Sequence, residues 1–379
     1  MLSGNRYFYG SPWWVLKMLI RHRPDGWVGW IRAFKLLLAS LAIWPGLWIE
    51  KTFLGRKIWN QAVPPEPIII LGQARSGTTL LFKLLSSNSR WTYIDGMDLY
   101  FPYWPPALRR LMTAPLQYLI KILGIKKLHF HNYDLRLSDP LEEDTQYCFG
   151  LSPFSAYWGI IWAKRAEELM NATIQFKAPK DKEIWKAAYL YGLKRIAYYR
   201  PNRKLVLKSP SSTGRVAALL EIFPDAKFIH ISRNPAEIFR SLEQLATQVL
   251  FAKFSMQTIS KSEIRELLIQ HYQLLDANFR RDKHLIPKSQ LCEVTYNEIM
   301  QDSLGSIRRI FSDLKLEGWA YYEPELQIAI EKEARYVPNS QAIPNHIQEL
   351  VANHFPESCQ EWEEISAKQK KFMVSPSPL

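Results

Sequence analysis

The segment Ile68–Leu85, with the sequence IIILGQARSGTTLLFKLL, limits the possible folds of this chain more than any other segment. Its leading apolar residues predict a buried strand, and the apolar residues after the loop predict a helix. The loop between them, GQARSGTT, has the glycine spacing of loops that hold nucleotide phosphates. Backbone N–H groups of such a loop converge on an anion, and the dipole of the following helix favours negative charge. The segment therefore predicts a phosphate-binding strand–loop–helix unit, although an ordinary turn between a strand and a helix has a similar pattern.

This loop lacks the residue that contacts the outer phosphates of a nucleoside triphosphate. Thr78 stands where the triphosphate-binding pattern has lysine, and Arg75 is the only cation in the loop. The strand before Arg233 also ends without the acid that would hold magnesium. Thr78 and Thr79 supply hydroxyl donors at the first helical turn. These features favour a nucleotide with a single 5′-phosphate that carries a further group, and no metal.

A second anion-binding pattern is HISRNPAEIFRS, residues 230–241. Arg233 follows a predicted strand, Pro235 stands where a helix would begin, and Ser241 lies two helical turns beyond Arg233. Arginine at the carboxyl end of a parallel strand faces the crevice in which α/β proteins bind ligands. Its guanidinium matches phosphate bidentately. We therefore expect Arg233 and Ser241 to converge on one anion, although a surface arginine at a helix start is the simpler alternative.

The order of strands and helices predicts the fold class. Short apolar runs alternate with amphipathic helical patterns such as residues 213–223 and 236–251, which indicates a parallel sheet covered by helices on both faces. The predicted strands are residues 67–72, 204–208, 226–232 and 290–294. The three cysteines are far apart and have no metal-binding spacing, which fits a reducing compartment. We therefore predict a three-layer α/β fold with a central parallel sheet and helical insertions.

Residues 1–60 differ in composition from the rest of this basic chain, whose net charge is +13. They hold nine Lys and Arg against two acids, and seven of the chain's 14 tryptophans. The uncharged run Leu36–Ile49 contains Pro45 and is shorter than the ~20 residues that a membrane-spanning helix needs. Tryptophan and basic residues around a short apolar run suit a membrane surface, whereas a packed helical cap is the alternative. We predict a separate segment 1–60, a domain 61–379 and a cytoplasmic location; the segment either lies on the inner face of a membrane or packs on the domain.

Three motifs together resemble a known family. ILGQARSGTTLL, VLKSPSS and AKFIHISRNPAEIFRS are similar to motifs of the sulfotransferases that use 3′-phosphoadenosine 5′-phosphosulfate, in the branch with R-S-G-T-T loops. The later VTYNEIMQD also resembles a segment of that family, and the likeness covers roughly residues 66–345. It implies transfer of a sulfuryl group, and it explains the missing lysine, because this donor has no γ-phosphate.

The resemblance assigns roles to the motif residues. It implies that the first motif binds the 5′-phosphosulfate and that Arg233 and Ser241 bind the 3′-phosphate. It also implies that Arg75 and Lys208 lie near the transferring group, where cations stabilise the charge that builds on the leaving oxygen. The donor-binding residues expected on this basis are Arg75, Ser76, Gly77, Thr78, Thr79, Arg233 and Ser241.

A hydroxyl acceptor also requires a base. In YIDGMDLYFP, the family's usual glutamate is replaced by aspartate, so Asp98 is the first candidate and Asp95 the second. In SDPLEEDTQY, Glu143 is a further candidate, although that segment also has the capping-box pattern of a helix start. His129 and His131 have a suitable ordinary pKa, but nothing in the sequence places them at the site.

The sequence thus predicts sulfuryl transfer to a hydroxyl, less readily to an amine, of an apolar, lipid-like or carbohydrate acceptor. Aromatic residues within 97–200 would line the acceptor pocket. Neither a metal nor a nucleic acid is expected, and the oligomeric state is left open. One alternative is a phosphate-loop kinase or nucleotide hydrolase. Another is a catalytically inactive module that binds membrane or nucleic acid.

Overall fold

A computed structural model describes residues 12–122, 136–144, 154–333 and 342–374 of the chain. Within them, five strands form one sheet. Their bounds are β1 Ile68–Leu71, β2 Trp91–Thr92, β3 Lys204–Lys208, β4 Lys227–Ser232 and β5 Leu291–Thr295.

All neighbouring strands of the sheet are parallel, in the order β2-β3-β1-β4-β5. The central strand is β1, and its Ile69 pairs with Leu207 of β3 and with Phe228 of β4. Four strands lie where the apolar runs predict them. The short edge strand β2 was not predicted, because Trp91 and Thr92 alone form no apolar run.

Helices and short helical turns fill the connections. Before the sheet lie α1 (Pro12–Arg21), α2 (Gly26–Ile49) and α3 (Gly55–Asn60). Between β1 and β3 lie α4 (Thr78–Leu85), α5 (Gly96–Tyr100), α6 (Pro106–Ile122), α7 (Ala156–Ile161), α8 (Ala166–Gln175) and α9 (Pro179–Tyr199). After β3 come α10 (Val216–Ile222), α11 (Pro235–Leu245), α12 (Lys261–Asp282), α13 (Tyr296–Gln301), α14 (Ser303–Asp313), α15 (Trp319–Glu333), α16 (Asn345–His354) and α17 (Pro356–Val374).

Two predicted helices change type along their length. Residues 213–223 start within a 3₁₀ turn, Pro210–Arg215, before α10 begins. The second, 236–251, is α11 followed by a π-helical stretch, Ala246–Phe254.

Side chains alternate across the sheet into two apolar cores. Ile68 and Ile70 pack with Phe82 of α4 on one face, whereas Ile69 packs with Trp185 of α9 on the other. All of these side chains are almost completely buried. A strand that buries both faces requires a helical layer on each side, and the structure has both. The prediction of a three-layer α/β fold with a parallel sheet and helical insertions is confirmed.

The N-terminal helix is longer than the sequence predicts. It continues through Pro45 and, by way of a π turn at Glu50–Leu54, runs from Gly26 to Asn60. The sequence predicted an apolar run too short to span a bilayer, and the length of this helix contradicts that prediction. Pro45 removes one backbone hydrogen bond but does not end the helix. Among the described residues this is one helix whose length and composition suffice to cross a membrane, and 17% of its apolar window is buried.

Contacts with the rest of the protein occur along the whole of this helix. Near its start, Asp25 accepts a hydrogen bond from the backbone N–H of Thr258 at 2.9 Å. Further along, Arg32 donates to two backbone carbonyls of the segment 252–255. Near its end, the buried Glu50 accepts a hydrogen bond from Arg195 at 2.7 Å. One side of the helix is thus packed on the α/β domain.

Candidate active site

The loop after β1 has a backbone that needs glycine. Gly72 has φ +148°, and a Cβ there would lie 2.7 Å from the backbone oxygen of Ile231. Gly77 has φ +102° and precedes the first residue of α4. Only glycine adopts such angles without strain at so close an approach. The loop therefore wraps tightly around the start of α4, as the glycine spacing predicts.

Two buried hydroxyl groups lie against the backbone of this loop, one from Thr213 and one from Ser76. Thr213 accepts a hydrogen bond from the backbone N–H of Gly72 at 2.8 Å, which joins the loop to the segment after β3. Ser76 is fully buried, and its Oγ has no hydrogen-bond partner among the described residues. A buried hydroxyl without a partner is costly unless a ligand satisfies it. The loop is therefore suited to an oxygen-rich anion.

The two predicted anion-binding motifs meet at Arg75. Its Nε donates to Ser241 Oγ at 2.9 Å, and its backbone oxygen accepts from Arg233 at 3.3 Å. Arg233 also forms an ion pair with Glu237 at 2.6 Å and lies 4.2 Å from the centre of the Tyr296 ring. The structure thus brings Arg75, Arg233 and Ser241 into one cluster, as expected from their positions after β1 and β4.

A buried lysine pairs with an acid that the sequence analysis did not single out as a base. Lys208, the last residue of β3, places its Nζ 2.5 Å from Glu142 and 3.5 Å from the hydroxyl of Thr79. Its side chain is 3% exposed. Glu142 also accepts a hydrogen bond from Tyr157 of α7 at 2.8 Å. The Lys208–Glu142 pair therefore bridges the phosphate-type loop and an inserted helix.

A cavity of about 390 Å³ is lined by Arg75, Thr79, Glu142, Tyr157 and Arg233, and Lys208 lies behind this lining as the partner of Glu142. Its polar wall includes the loop, Glu142 and Arg233, and its other walls are apolar side chains from α7, α11, α12 and the π-helical stretch. The apolar lining includes Ile160, Leu250, Phe251 and Phe254. A site with one polar and one apolar part suits a charged donor beside an apolar acceptor.

Comparison with known proteins identifies the family. A profile described as "Sulfotransferase family" matches residues 67–321, well over half of the chain. The chain belongs to the sulfotransferase family. The resemblance drawn from the loop and the two following motifs is confirmed.

Individual sulfotransferases are similar to this chain over nearly its whole length. Omega-hydroxy-beta-dihydromenaquinone-9 sulfotransferase Stf3 of Mycobacterium bovis (strain ATCC BAA-935 / AF2122/97) is 29% identical over 363 residues, covering 92% of this chain and 90% of that protein. The crystal structure of sulfotransferase STF9 from Mycobacterium avium has a TM-score of 0.71 at 18% identity, with 92% and 89% of the chains covered. STF1 from Mycobacterium tuberculosis H37Rv has a TM-score of 0.66 at 17% identity, covering 91% and 90%. The two solved structures confirm the fold.

Glu143, the further base candidate, is enclosed in the sulfotransferase core. Its carboxylate accepts hydrogen bonds from the backbone N–H of Lys208 at 2.9 Å and from Ser212 at 3.1 Å, and Tyr189 lies 3.4 Å away. Burial, and then the charge of Asp144, raises the pKa of Glu143 to about 7. Glu143 is not among the residues that line the cavity. Its position suits a role in fixing the end of β3, whereas its neighbour Glu142 reaches the cavity.

Asp98, the first base candidate, is not among the residues that line the cavity, although Leu99 and Tyr100 are, and its surroundings oppose proton transfer. Its fully buried carboxylate pairs with Arg109 and with Arg200, the latter at 2.8 Å. Burial alone would raise the pKa of Asp98, but the charges of Arg200 and Arg109 outweigh it and hold that pKa well below its usual range. Asp98 and Asp95 also form the capping box of α5. These contacts suit a structural role for both aspartates, and the assignment of Asp98 or Asp95 as the base stays a prediction.

The remaining sequence-based candidates are placed as follows. His129 and His131 lie outside the described residues. Within the part of the chain that the structure describes, no group of three or more metal-ligating side chains could hold a metal ion. The pairing of Lys208 with Glu142 was missed because the two lie 66 residues apart in sequence. The adjacent acids of SDPLEEDTQY were the only signal in the sequence.

Proposed function

We propose that this sulfotransferase moves a sulfuryl group from 3′-phosphoadenosine 5′-phosphosulfate to a hydroxyl group of an apolar, lipid-like acceptor. The observation that carries the proposal is the Lys208–Glu142 pair, held between Thr79 of the loop and Tyr157 of an inserted helix beside one cavity. A cation and a carboxylate at this place supply the two groups that the reaction needs.

In this proposal, the donor lies along the loop and the arginine cluster. The backbone and hydroxyl groups of Ser76–Thr79 bind the 5′-phosphosulfate, at the start of α4, where the helix dipole favours an anion. Arg233 and Ser241 bind the 3′-phosphate, with Arg75 between the two sites. On binding, the nucleotide replaces part of the contact between Arg233 and Glu237. Arginine supplies the bidentate geometry that a phosphate requires.

The transfer step then uses the buried pair. The acceptor oxygen attacks sulfur in line, its proton passes to the Glu142 carboxylate, and the bond from sulfur to the bridging oxygen breaks. Adenosine 3′,5′-bisphosphate leaves with the negative charge that Lys208 stabilises as it develops. The low exposure of Lys208 strengthens this interaction, because little water screens it.

The apolar part of the cavity supports a lipid-like acceptor. Ile160, Leu250, Phe251 and Phe254 offer dispersion contacts and no hydrogen-bonding groups from their side chains. The similar mycobacterial protein is named for an omega-hydroxy menaquinone substrate, a hydroxyl on an apolar chain. Both observations favour a lipid hydroxyl over a carbohydrate.

The direct test is transfer of ³⁵S from the labelled donor to a panel of long-chain prenyl alcohols, hydroxylated quinols, glycans and phenols. We expect label on the prenyl or quinol hydroxyls. With Lys208→Ala, we expect turnover to fall by about 100-fold or more while donor affinity changes little. Transfer to glycans alone, or hydrolysis of ATP·Mg²⁺ without sulfuryl transfer, would contradict the proposal.

Donor recognition has its own measurement. Calorimetry should show adenosine 3′,5′-bisphosphate binding more tightly than 5′-AMP, by about 2–3 kcal/mol for a charge-assisted contact to the 3′-phosphate. Arg233→Gln should remove most of that difference. Equal affinities for the two nucleotides in the unaltered protein would refute the 3′-phosphate assignment.

A further inference from the structure

The outer side of α2 exposes large apolar side chains. Trp27, Phe34 and Leu41 are 75%, 61% and 49% exposed, and Trp30, Trp44 and Trp48 are similarly open. Soluble proteins rarely leave a continuous apolar face of this kind without a partner.

Trp27, Phe34 and Leu41 occupy the face of the helix opposite the face that packs. Trp30, Trp44 and Trp48 flank that face. The buried residues Gly29, Ala33, Ser40 and Leu47 recur at intervals of four or seven. The exposed set, including Phe34 and Leu41, recurs with the same period about half a turn away. The apolar face is therefore a continuous stripe along the helix.

The charges around this stripe have one sign. The only acids in 12–60 are Asp25 and Glu50, and both are held by contacts with the domain. The exposed cations of the same segment are Lys17, Arg21, Arg23, Lys35, Arg56 and Lys57. An apolar stripe with tryptophans and exposed cations matches an anionic lipid surface, where aromatic rings sit at headgroup level and cations meet phosphates.

We propose that the outer face of α2 docks on an anionic lipid bilayer, with the helix lying in the plane of the membrane. A spanning orientation would break the contacts of Asp25, Arg32 and Glu50, which extend over the length of the helix. It would also place the charges of Arg32, Lys35 and Glu50 in the hydrocarbon.

The packed face of α2 contacts a segment that forms part of the apolar cavity wall. Arg32 donates to the carbonyl oxygen of Ala252, within the π-helical stretch Ala246–Phe254. The same stretch contributes Leu250, Phe251 and Phe254 to the cavity wall. A lipid acceptor held in the bilayer would then enter the cavity beside this contact; this last step rests on the proposed function.

The binding test compares two matched double variants of the full chain. Phe34→Glu with Leu41→Glu alters the docking face, whereas Ile328→Glu with Leu285→Glu alters equally exposed residues elsewhere, at 68% and 47% exposure. We expect the unaltered protein and the control to co-sediment with phosphatidylglycerol vesicles. The docking-face variant should show at least a tenfold lower partition coefficient.

The results of these vesicle-binding experiments decide whether α2 docks on the bilayer and in which orientation. Failure of the unaltered protein to bind, or equal binding by both double variants, overturns the proposal. Resistance to alkaline carbonate extraction, as shown by spanning proteins, overturns the in-plane orientation. Circular dichroism of both variants confirms that each is folded. None of these measurements depends on sulfuryl transfer, so failure of the proposed function leaves the result interpretable.

Acceptor delivery is tested with two forms of the acceptor. The docking-face variant should lose at least tenfold in activity toward an acceptor embedded in vesicles and keep its activity toward a short, water-soluble analogue. An equal loss with both acceptors would show that α2 supports the cavity rather than delivering lipid.

Discussion

Glu142 and Glu143 are neighbours in the chain, but their carboxylates have different surroundings. Glu142 contacts Lys208 and Tyr157 beside the cavity, whereas Glu143 is enclosed by the end of β3 and by Ser212. One carboxylate is placed to meet a substrate and the other to hold the backbone. Substitution of the two should therefore give different measurable defects.

The first prediction concerns Glu142. Glu142→Gln keeps the size of the side chain but removes the proton acceptor, so kcat should fall by about 100-fold or more, while the bisphosphate still binds. Asp98→Asn is the comparison, and it should act on the free energy of unfolding more than on kcat, because its carboxylate pairs with Arg109 and Arg200. Steady-state kinetics combined with urea unfolding would check both. Normal turnover of Glu142→Gln would show that another residue acts as the base.

The second prediction follows from the pKa of Glu143, which is raised from 4.5 to about 7. Below pH 4.5 this group is protonated in both the folded and the unfolded states. Between pH 4.5 and 7 the unfolded chain loses the proton first, so the free energy of unfolding falls by about 3 kcal/mol as pH rises. Glu143→Gln should lack this component when urea unfolding is compared at pH 5 and pH 8. The same pH dependence in both proteins would show that Glu143 does not titrate in this range.

At the scale of elements, the loop after β1 depends on the backbone of Gly72. In Gly72→Ala, the new Cβ would lie 2.7 Å from the oxygen of Ile231, so unfolding free energy should fall by about 3 kcal/mol and donor binding should weaken. Gly26→Ala is a matched control, because φ is also positive there but no atom lies within 4 Å of the new Cβ. It should cost about 1 kcal/mol for backbone strain alone. Equal losses in the two variants would show that the close approach to β4 is not the limiting feature.

The anchoring of the N-terminal helix gives a fourth prediction. Glu50→Ala would leave the fully buried Arg195 without its closest carboxylate, so the free energy of unfolding should fall by about 3–5 kcal/mol. Glu221→Ala removes the partner of Lys182 and Lys186 at the surface, and the loss there should stay below about 1 kcal/mol. Chemical denaturation of both variants would measure the difference. A small effect of Glu50→Ala would mean that the helix is held by packing alone.

Local signals explain which parts the sequence could predict. The loop, α4 and the motif around Arg233 lie within short segments, and their positions at strand ends follow from the parallel sheet. Ion pairs between residues far apart in sequence have no such local pattern. Glu142 and Lys208 are 66 residues apart, and Glu50 and Arg195 are 145 residues apart. Asp98 was assigned to catalysis for a similar reason, since Arg200, one of its two arginine partners, lies 102 residues away, just past the end of α9.

At the scale of the whole molecule, the proposed reaction needs neither a γ-phosphate nor a metal ion. The protein should therefore prefer adenosine 3′,5′-bisphosphate to ATP·Mg²⁺. At 100 times its Kd, adenosine 3′,5′-bisphosphate should stabilise the folded protein by about 2.7 kcal/mol, which raises Tm, whereas ATP·Mg²⁺ at the same concentration should shift it far less. EDTA should leave sulfuryl transfer unchanged. Differential scanning fluorimetry and the ³⁵S assay would check these results. A larger shift with ATP·Mg²⁺, or loss of activity in EDTA, would favour a kinase or hydrolase.

The ion pair of Glu50 with Arg195 also affects the order of events during synthesis. Translation at roughly 5–20 residues per second separates these two residues by about 7–30 s. Throughout that interval, the apolar N-terminal helix has left the ribosome, but the helix α9 that holds it does not yet exist. We therefore expect the nascent chain to associate with a chaperone or a nearby bilayer before its own catalytic domain has formed.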